Sequence, residues 1–161
     1  MNVTFIDTSV LLNVLDVPGR NQDAAAVKKT MGEVIDSGES LILPITAVIE
    51  TGNHIAQLDN GQLRREFAQK LERVLRGVVA GNSPWVLHDI AWNSEFLEKL
   101  VGGAGTGQDF RSLLEQKVGV GDLCILAECN AYASRVKTAT VRIWTLDRAL
   151  SSWAPVTHPG Y

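Results

Sequence analysis

Four short apolar runs, each separated from the next by helical stretches, constrain the fold of this chain more than any other feature. They are "VTFI" at 3–6, "LIL" at 41–43, "WVLH" at 85–88 and "TVRIWT" at 140–145. Each is of strand length and rich in β-branched or aromatic residues. Between them the apolar spacing changes to three or four residues, the helical period. Strands separated by helices along a whole chain imply right-handed crossovers and a mostly parallel sheet with both faces covered. The expected architecture is therefore α/β, a three-layer α/β/α sandwich, and 161 residues suit a single domain over 1–161.

The intervening segments carry their own punctuation. Val10, Leu11, Leu12, Val14 and Leu15 predict a short helix stopped by Pro18 and Gly19. Ala24, Val27, Met31, Val34 and Ile35 recur along residues 21–37, and Gly38 stands where that helix would end. Pro44 suits the first turn of the next helix, since the N–H it lacks would be unpaired there anyway, and Ile45, Val48, Ile49, Gly52 and Ile55 are expected on its inner face. Residues 61–80 predict a strong helix with Leu63, Phe67, Leu71, Val74 and Val78 inward and Arg65, Gln69, Arg73 and Arg76 along another face. A helix from about Trp92 to Val101 precedes "GGAGTG" at 102–107, read as a mobile surface loop, and "DLCILAECNAYAS" at 122–134 reads as a mostly apolar helix. Beyond the last strand only a short tail is expected.

Composition excludes several classes. Hydrophobic residues at 45% and charged residues at 20% are those of a folded globular chain rather than a disordered one. The start "MNVTFIDTSV" has no basic lead-in and reaches an acid at position 7, so it reads neither as a signal peptide nor as a membrane span, and a cytoplasmic location is expected. Cys124 and Cys129 are five apart in a predicted helix, which turns them roughly 140° away from each other, so both are read as buried small side chains. The net charge of -3 speaks weakly against a general nucleic-acid binder, but four clustered acids neutralised by cations would leave the remainder at +1.

In open α/β sheets ligands bind at the carboxyl ends of the strands. Asp7 follows the first strand and Asp147 the last, so both belong on that edge, and Glu50 and Asp122 reach it from helices that begin there. Two unit charges ~4 Å apart at an effective dielectric of ~20 repel by about 4 kcal/mol, so converging carboxylates require protons or cations. An all-oxygen set without cysteine or histidine favours the hard ions Mg²⁺ or Mn²⁺. Each acid also has an ordinary role open to it. Asp7, Asp122 and Asp147 each stand where a helix cap would, and Glu50 shares a polar helix face with Thr46, Asn53 and His54.

Taken in order, a hydrophobic strand then "DTS", a Glu within "TAVIETGNHI", a Gly-Asp opening the helix in "GVGDLCILAECNAYA" and a strand ending in "TLD" resemble the PIN domain family, whose best-known bacterial members are VapC-type toxins. The resemblance spans positions 4 to about 150. It implies a metal-dependent endoribonuclease, with Asp7, Glu50, Asp122 and Asp147 as the acidic site holding Mg²⁺ or Mn²⁺, and Ser9 and Thr145 as supporting polar groups. It further implies an RNA substrate, a small antitoxin partner and a homodimer. The segment 102–117 is longer than a compact member of that family needs before its third acid, and the chain is somewhat long for the toxins.

Other classes fit less well. A haloacid-dehalogenase-type phosphatase needs a second acid two residues after the first, where this chain has Ser9, and a response-regulator receiver needs a lysine after its last strand, which "TLDRAL" does not supply. The alternative that remains is a PIN-like fold serving as a non-catalytic binding or scaffold module. The arginine face of the 61–80 helix reads first as solvated surface and second as an RNA-backbone contact. His54, one turn after Glu50, reads first as a surface or packing residue and second as a phosphate contact. Trp85, Trp92, Trp144 and Trp153 read as core or interface anchors.

Overall fold

The computed structural model describes residues 1–153, so residues 154–161, with most of the tail expected after the last strand, lie outside the described residues. Its elements run β1 (Asn2–Ile6), α1 (Thr8–Leu15), α2 (Ala24–Asp36), β2 (Ser40–Ile42), α3 (Ile45–Ala56), α4 (Gly61–Val79), β3 (Trp85–Val86), α5 (Ser94–Val101), α6 (Phe110–Glu115), α7 (Val120–Arg135), β4 (Thr140–Trp144) and α8 (Arg148–Ser151). The four strands form one sheet in the order β3-β2-β1-β4, every pairing parallel. With helices flanking it, this is the α/β arrangement that the strand–helix alternation implies, compatible with the three-layer sandwich.

β1 is an inner strand, paired on both sides, and explains its own composition. Val3, Phe5 and Ile6 are all fully buried, and Thr4 between them is buried as well. A parallel strand covered on both faces has no solvent side, so its apolar residues run together instead of alternating. Each such side chain contributes about 1.5–3 kcal/mol by leaving water. Thr4 is satisfied by the Glu39 carboxylate, which also receives Arg142 Nε at 3.0 Å and Nη2 at 3.2 Å, so this two-bond ion pair ties the lead-in of β2 to β4 beneath the sheet's centre. Among the described residues no helix is long and apolar enough to cross a membrane.

Several expectations are corrected. α3 buries only part of the face its apolar spacing suggested, with Ile55 in the core and Val48 packed against it. Its buried residues are Thr46, Ala47, Thr51 and Ile55, while Ile45 and Ile49 are nearly half exposed. Those two isoleucines line a shallow apolar groove with Leu43, Leu87 and Trp92, so an apolar stripe on α3 marks surface as well as core. β3 ends at Val86 because β2 turns into α3 at Pro44. The last ladder bond is Leu43 N–H to the Val86 carbonyl, 2.9 Å, and residues 87 and 88 make no further ladder bond among the described residues. His88 turns instead onto α7.

The run 102–107, expected as a mobile surface loop, is partly buried, and a short helix that the sequence reading did not include follows it. Gly103 and Ala104 are buried in a turn, and Phe110–Glu115 forms the short helix α6, capped by Asp109, whose carboxylate accepts from Ser112 N–H at 3.0 Å. Trp85 and Trp144 are core residues as expected, whereas Trp92 precedes α5, is exposed and stacks on Phe96 at 5.8 Å. Cys124 and Cys129 are both free and buried.

Candidate functional site

The site is built on the junction between β1 and β4. The Asp7 N–H donates to the Trp144 carbonyl at 3.0 Å, which extends the β1–β4 ladder one residue past Ile6 and brings "DTS" against "TLD". Asp7 then caps α1, its Oδ2 accepting weakly from Ser9 N–H at 3.4 Å. Two hydroxyls converge on the same oxygen, Ser9 Oγ at 2.8 Å and Thr145 Oγ1 at 2.8 Å. Each hydroxyl is itself fixed by a backbone donor, Ser9 by Leu146 N–H at 3.0 Å and Thr145 by Asp147 N–H at 2.9 Å. The two supporting residues expected from the sequence are thus locked between β1 and β4, and they hold the Asp7 carboxylate in one orientation.

That orientation leaves something over. Asp7 is only 3% exposed, yet its Oδ1 is buried and has no hydrogen-bond partner among the described residues. A buried carboxylate oxygen without a donor is costly, and an unpartnered one in a folded protein calls for a ligand, a proton or an ion. Of Asp7's two oxygens, one is fully used and the other is used by no group among the described residues.

The remaining acids approach from three directions. Asp147, following β4, caps α8 through Ala149 N–H at 2.7 Å and Leu150 N–H at 3.4 Å, so its cap role is real and it is exposed at the rim. Glu50 lies on α3 and receives Thr8 Oγ1 on its Oε2 at 2.7 Å, which ties it to the residue next to Asp7. Asp122 stands in the first turn of α7 but does not cap it, since Gly119 occupies the cap position. The reading of Asp122 as a cap is therefore excluded. Glu50 also lies over that first turn: a Cβ on Gly121 would fall 1.6 Å from Glu50 Oε1, so α7 admits the carboxylate only because residue 121 has no side chain.

Electrostatics confirm that the four acids share one neighbourhood. The Asp122 carboxyl is pushed up to about 7, first by burial and then by the negative charges of Asp7, Asp147 and Glu50, and no basic side chain among the described residues pulls it back. Desolvation and like charges act in the same direction on an acid, both favouring the neutral form. The structure thus brings all four sequence-identified acids to the carboxyl edge of the sheet. It does not draw them into a finished cage: among the described residues no group of three or more His, Cys, Asp or Glu side chains is poised to hold a metal ion. What fits a hard divalent ion is the donor chemistry, all carboxylate oxygen, together with the orphaned Asp7 Oδ1 and the unneutralised charge around Asp122.

The auxiliary candidates divide. His54 is held below the usual histidine range by burial and then by the Arg20 guanidinium, so it is neutral near pH 7, with Glu50 acting in the opposite sense. On α4, Arg76 pairs with Glu72 at 2.6 Å and Arg73 Nε reaches the Gln69 carbonyl at 3.4 Å, which is the behaviour of a solvated helix face. Two contributors escaped the sequence reading. Thr8 sits in the quoted "DTS" but gives no local sign that its hydroxyl reaches 42 residues away, and Gly121 looked like a helix opener rather than a docking point for Glu50.

Comparison of the chain with known family models, with curated proteins and with solved structures gives no match.

Proposed function

We propose that the protein is a metal-dependent endoribonuclease that hydrolyses RNA phosphodiester bonds at the Asp7, Glu50, Asp122 and Asp147 edge, with Mg²⁺ or Mn²⁺ as its cofactor. The observation that carries this reading is the pairing of an orphaned buried oxygen on Asp7 with a carboxyl on Asp122 that burial, and then its three acidic neighbours, push up to about 7. Such a cluster destabilises the fold unless protons or a cation neutralise it. RNA as the substrate rests on the PIN resemblance of the four motifs.

The residues divide the work by position. Asp7, held by Ser9 and Thr145, presents Oδ1 as a fixed ligand, and Asp122 gives up its proton to become the second. Glu50, steadied by Thr8, and Asp147, on the rim, complete the oxygen set. A hard divalent ion bound there would lower the pKa of an attacking water and neutralise charge developing on the phosphate. The resemblance also suggests a cytoplasmic toxin covered by a small antitoxin, and a homodimer, for which the exposed Ile45, Ile49, Leu87 and Trp92 would offer apolar surface.

An RNA cleavage assay with Mn²⁺ or Mg²⁺ and with EDTA tests the reading. Cleavage that EDTA stops, and that Asp7→Asn abolishes while the circular-dichroism spectrum is kept, is the expected result; wild-type turnover in Asp7→Asn would remove the mechanism. The scaffold reading has one observation in its favour, the helix-capping bonds that Asp7 and Asp147 already make. Thermal melting separates the two. Metal bound to the native state alone raises the midpoint with concentration, and a midpoint indifferent to Mn²⁺ and Mg²⁺ would favour the scaffold.

A further inference from the structure

We infer that Gly121 is a positioning residue of the acidic site: the missing side chain at this point of α7 is what admits the Glu50 carboxylate to the Asp7 and Asp122 edge, so residue 121 decides whether Glu50 belongs to the metal-binding set. This rests on the metal-dependent reading above. The geometry is specific. A Cβ at residue 121 would stand 1.6 Å from Glu50 Oε1, 2.6 Å from Cδ and 3.2 Å from Oε2, so the whole carboxylate lies against the Gly121 Cα. On its other side Oε2 is held by Thr8 Oγ1 at 2.7 Å. The carboxylate is therefore clasped between the first turn of α1 and the first turn of α7, the elements that carry Asp7 and Asp122.

Nothing in the backbone demands glycine here. Residue 121 is the second residue of α7, not a turn with positive φ, and the other glycine of the motif, Gly119, would meet its nearest neighbour only at the ordinary distance of 3.9 Å. Glycine within a helix is unfavourable relative to alanine, so a local account of the sequence would place alanine at 121. The clash is with the end of a flexible side chain, so a methyl group there would swing Glu50 aside by more than an ångström and leave α7 intact.

Two readouts are expected to move in opposite directions. In Gly121→Ala the metal-free melting midpoint holds or rises, because alanine favours the helix and one negative charge leaves the cluster. Mn²⁺ affinity, measured by isothermal titration calorimetry, falls about tenfold or more. A glycine needed only for folding would lower both. In a cycle with Glu50→Ala, the double variant binds Mn²⁺ no more weakly than Glu50→Ala alone, since there is no carboxylate left to displace. Gly121→Ala binding Mn²⁺ as the wild type does, or the two losses adding in full, would overturn the inference. If the wild type itself takes no Mn²⁺, the metal reading fails, and a metal-free crystal structure of Gly121→Ala still decides the positioning. The Glu50 carboxylate displaced from residue 121 and Asp122 supports it, and the carboxylate found in place refutes it.

Discussion

Asp7 shows how one side chain can serve the fold and the site at once. It caps α1, continues the β1–β4 ladder and accepts from two hydroxyls through a single oxygen, while the other oxygen is buried with no partner among the described residues. The hydroxyls fix which oxygen is left over. Ser9→Ala or Thr145→Val should therefore keep the fold and cost about 10–100-fold in metal affinity or cleavage, the usual penalty for removing a group that orients a ligand. Direct titration with Mn²⁺ reads this without reference to the substrate. Asp122 adds a pH dependence with a definite sign. Its carboxyl titrates near 7 instead of its ordinary 3.8, and a bound cation requires the ionised form, so binding releases a proton. Mn²⁺ affinity should rise as pH increases from about 6 to about 8, and calorimetry in buffers of different ionisation enthalpy would count the proton. Affinity flat across that range would show that Asp122 does not ligate.

At the scale of elements, the connections decide more than the helices they join. The turn from α5 to α6 closes over Gly103, which has φ +91°, and a Cβ there would lie 1.8 Å from the Gln108 carbonyl oxygen. Unlike Gly121, this glycine faces backbone, which cannot swing aside. Gly103→Ala should therefore cost about 2 kcal/mol or more, from the φ that alanine resists and the clash together. Urea unfolding checks it, and a loss below ~0.5 kcal/mol would mean the turn rearranges freely. α7 is held against the chain leaving β3 by a second contact. Arg135 donates to Nε2 of His88, which leaves the hydrogen on Nδ1 to reach Glu128 Oε1 at 3.1 Å, beside Phe5 and Tyr132. Burial, and then the Arg135 charge, hold His88 below its usual range, so it remains neutral.

At the scale of the whole molecule, two carboxyls among the described residues, the buried Glu128 and the half-buried Asp122, favour the folded state when protonated. Glu128 is raised from its ordinary 4.5 to about 7 by burial, and Asp122 from 3.8 to about 7. Between those limits the folded chain keeps protons that the unfolded chain releases. Stability from these groups is complete below about pH 4, is lost as pH rises through about 7, and changes little beyond. The metal-free midpoint should fall between pH 5 and pH 8, and Glu128→Gln should flatten part of that slope. Mn²⁺ should offset the Asp122 share and leave the Glu128 share unchanged. A metal-free midpoint that rises over the same interval would contradict both assignments.

The sequence by itself determined the alternation of strands and helices, apart from the short helix α6, and the parallel sheet that follows from it, and it directed four acids to the sheet's carboxyl edge. Those are consequences of local period and chain direction, legible in runs such as "VTFI" and "TVRIWT". Ser9 and Thr145 were named only through the resemblance of "DTS" and "TLD" to the PIN motifs, and it is the parallel β1–β4 pair that sets both hydroxyls on Asp7. Tertiary structure alone decided which face of α3 is core, where β3 stops, that Thr8 reaches Glu50 and that Gly121 leaves room for it. Each of these depends on which surface another element covers, and neither periodicity nor spacing along one segment encodes what packs against it from 40 to 70 residues away.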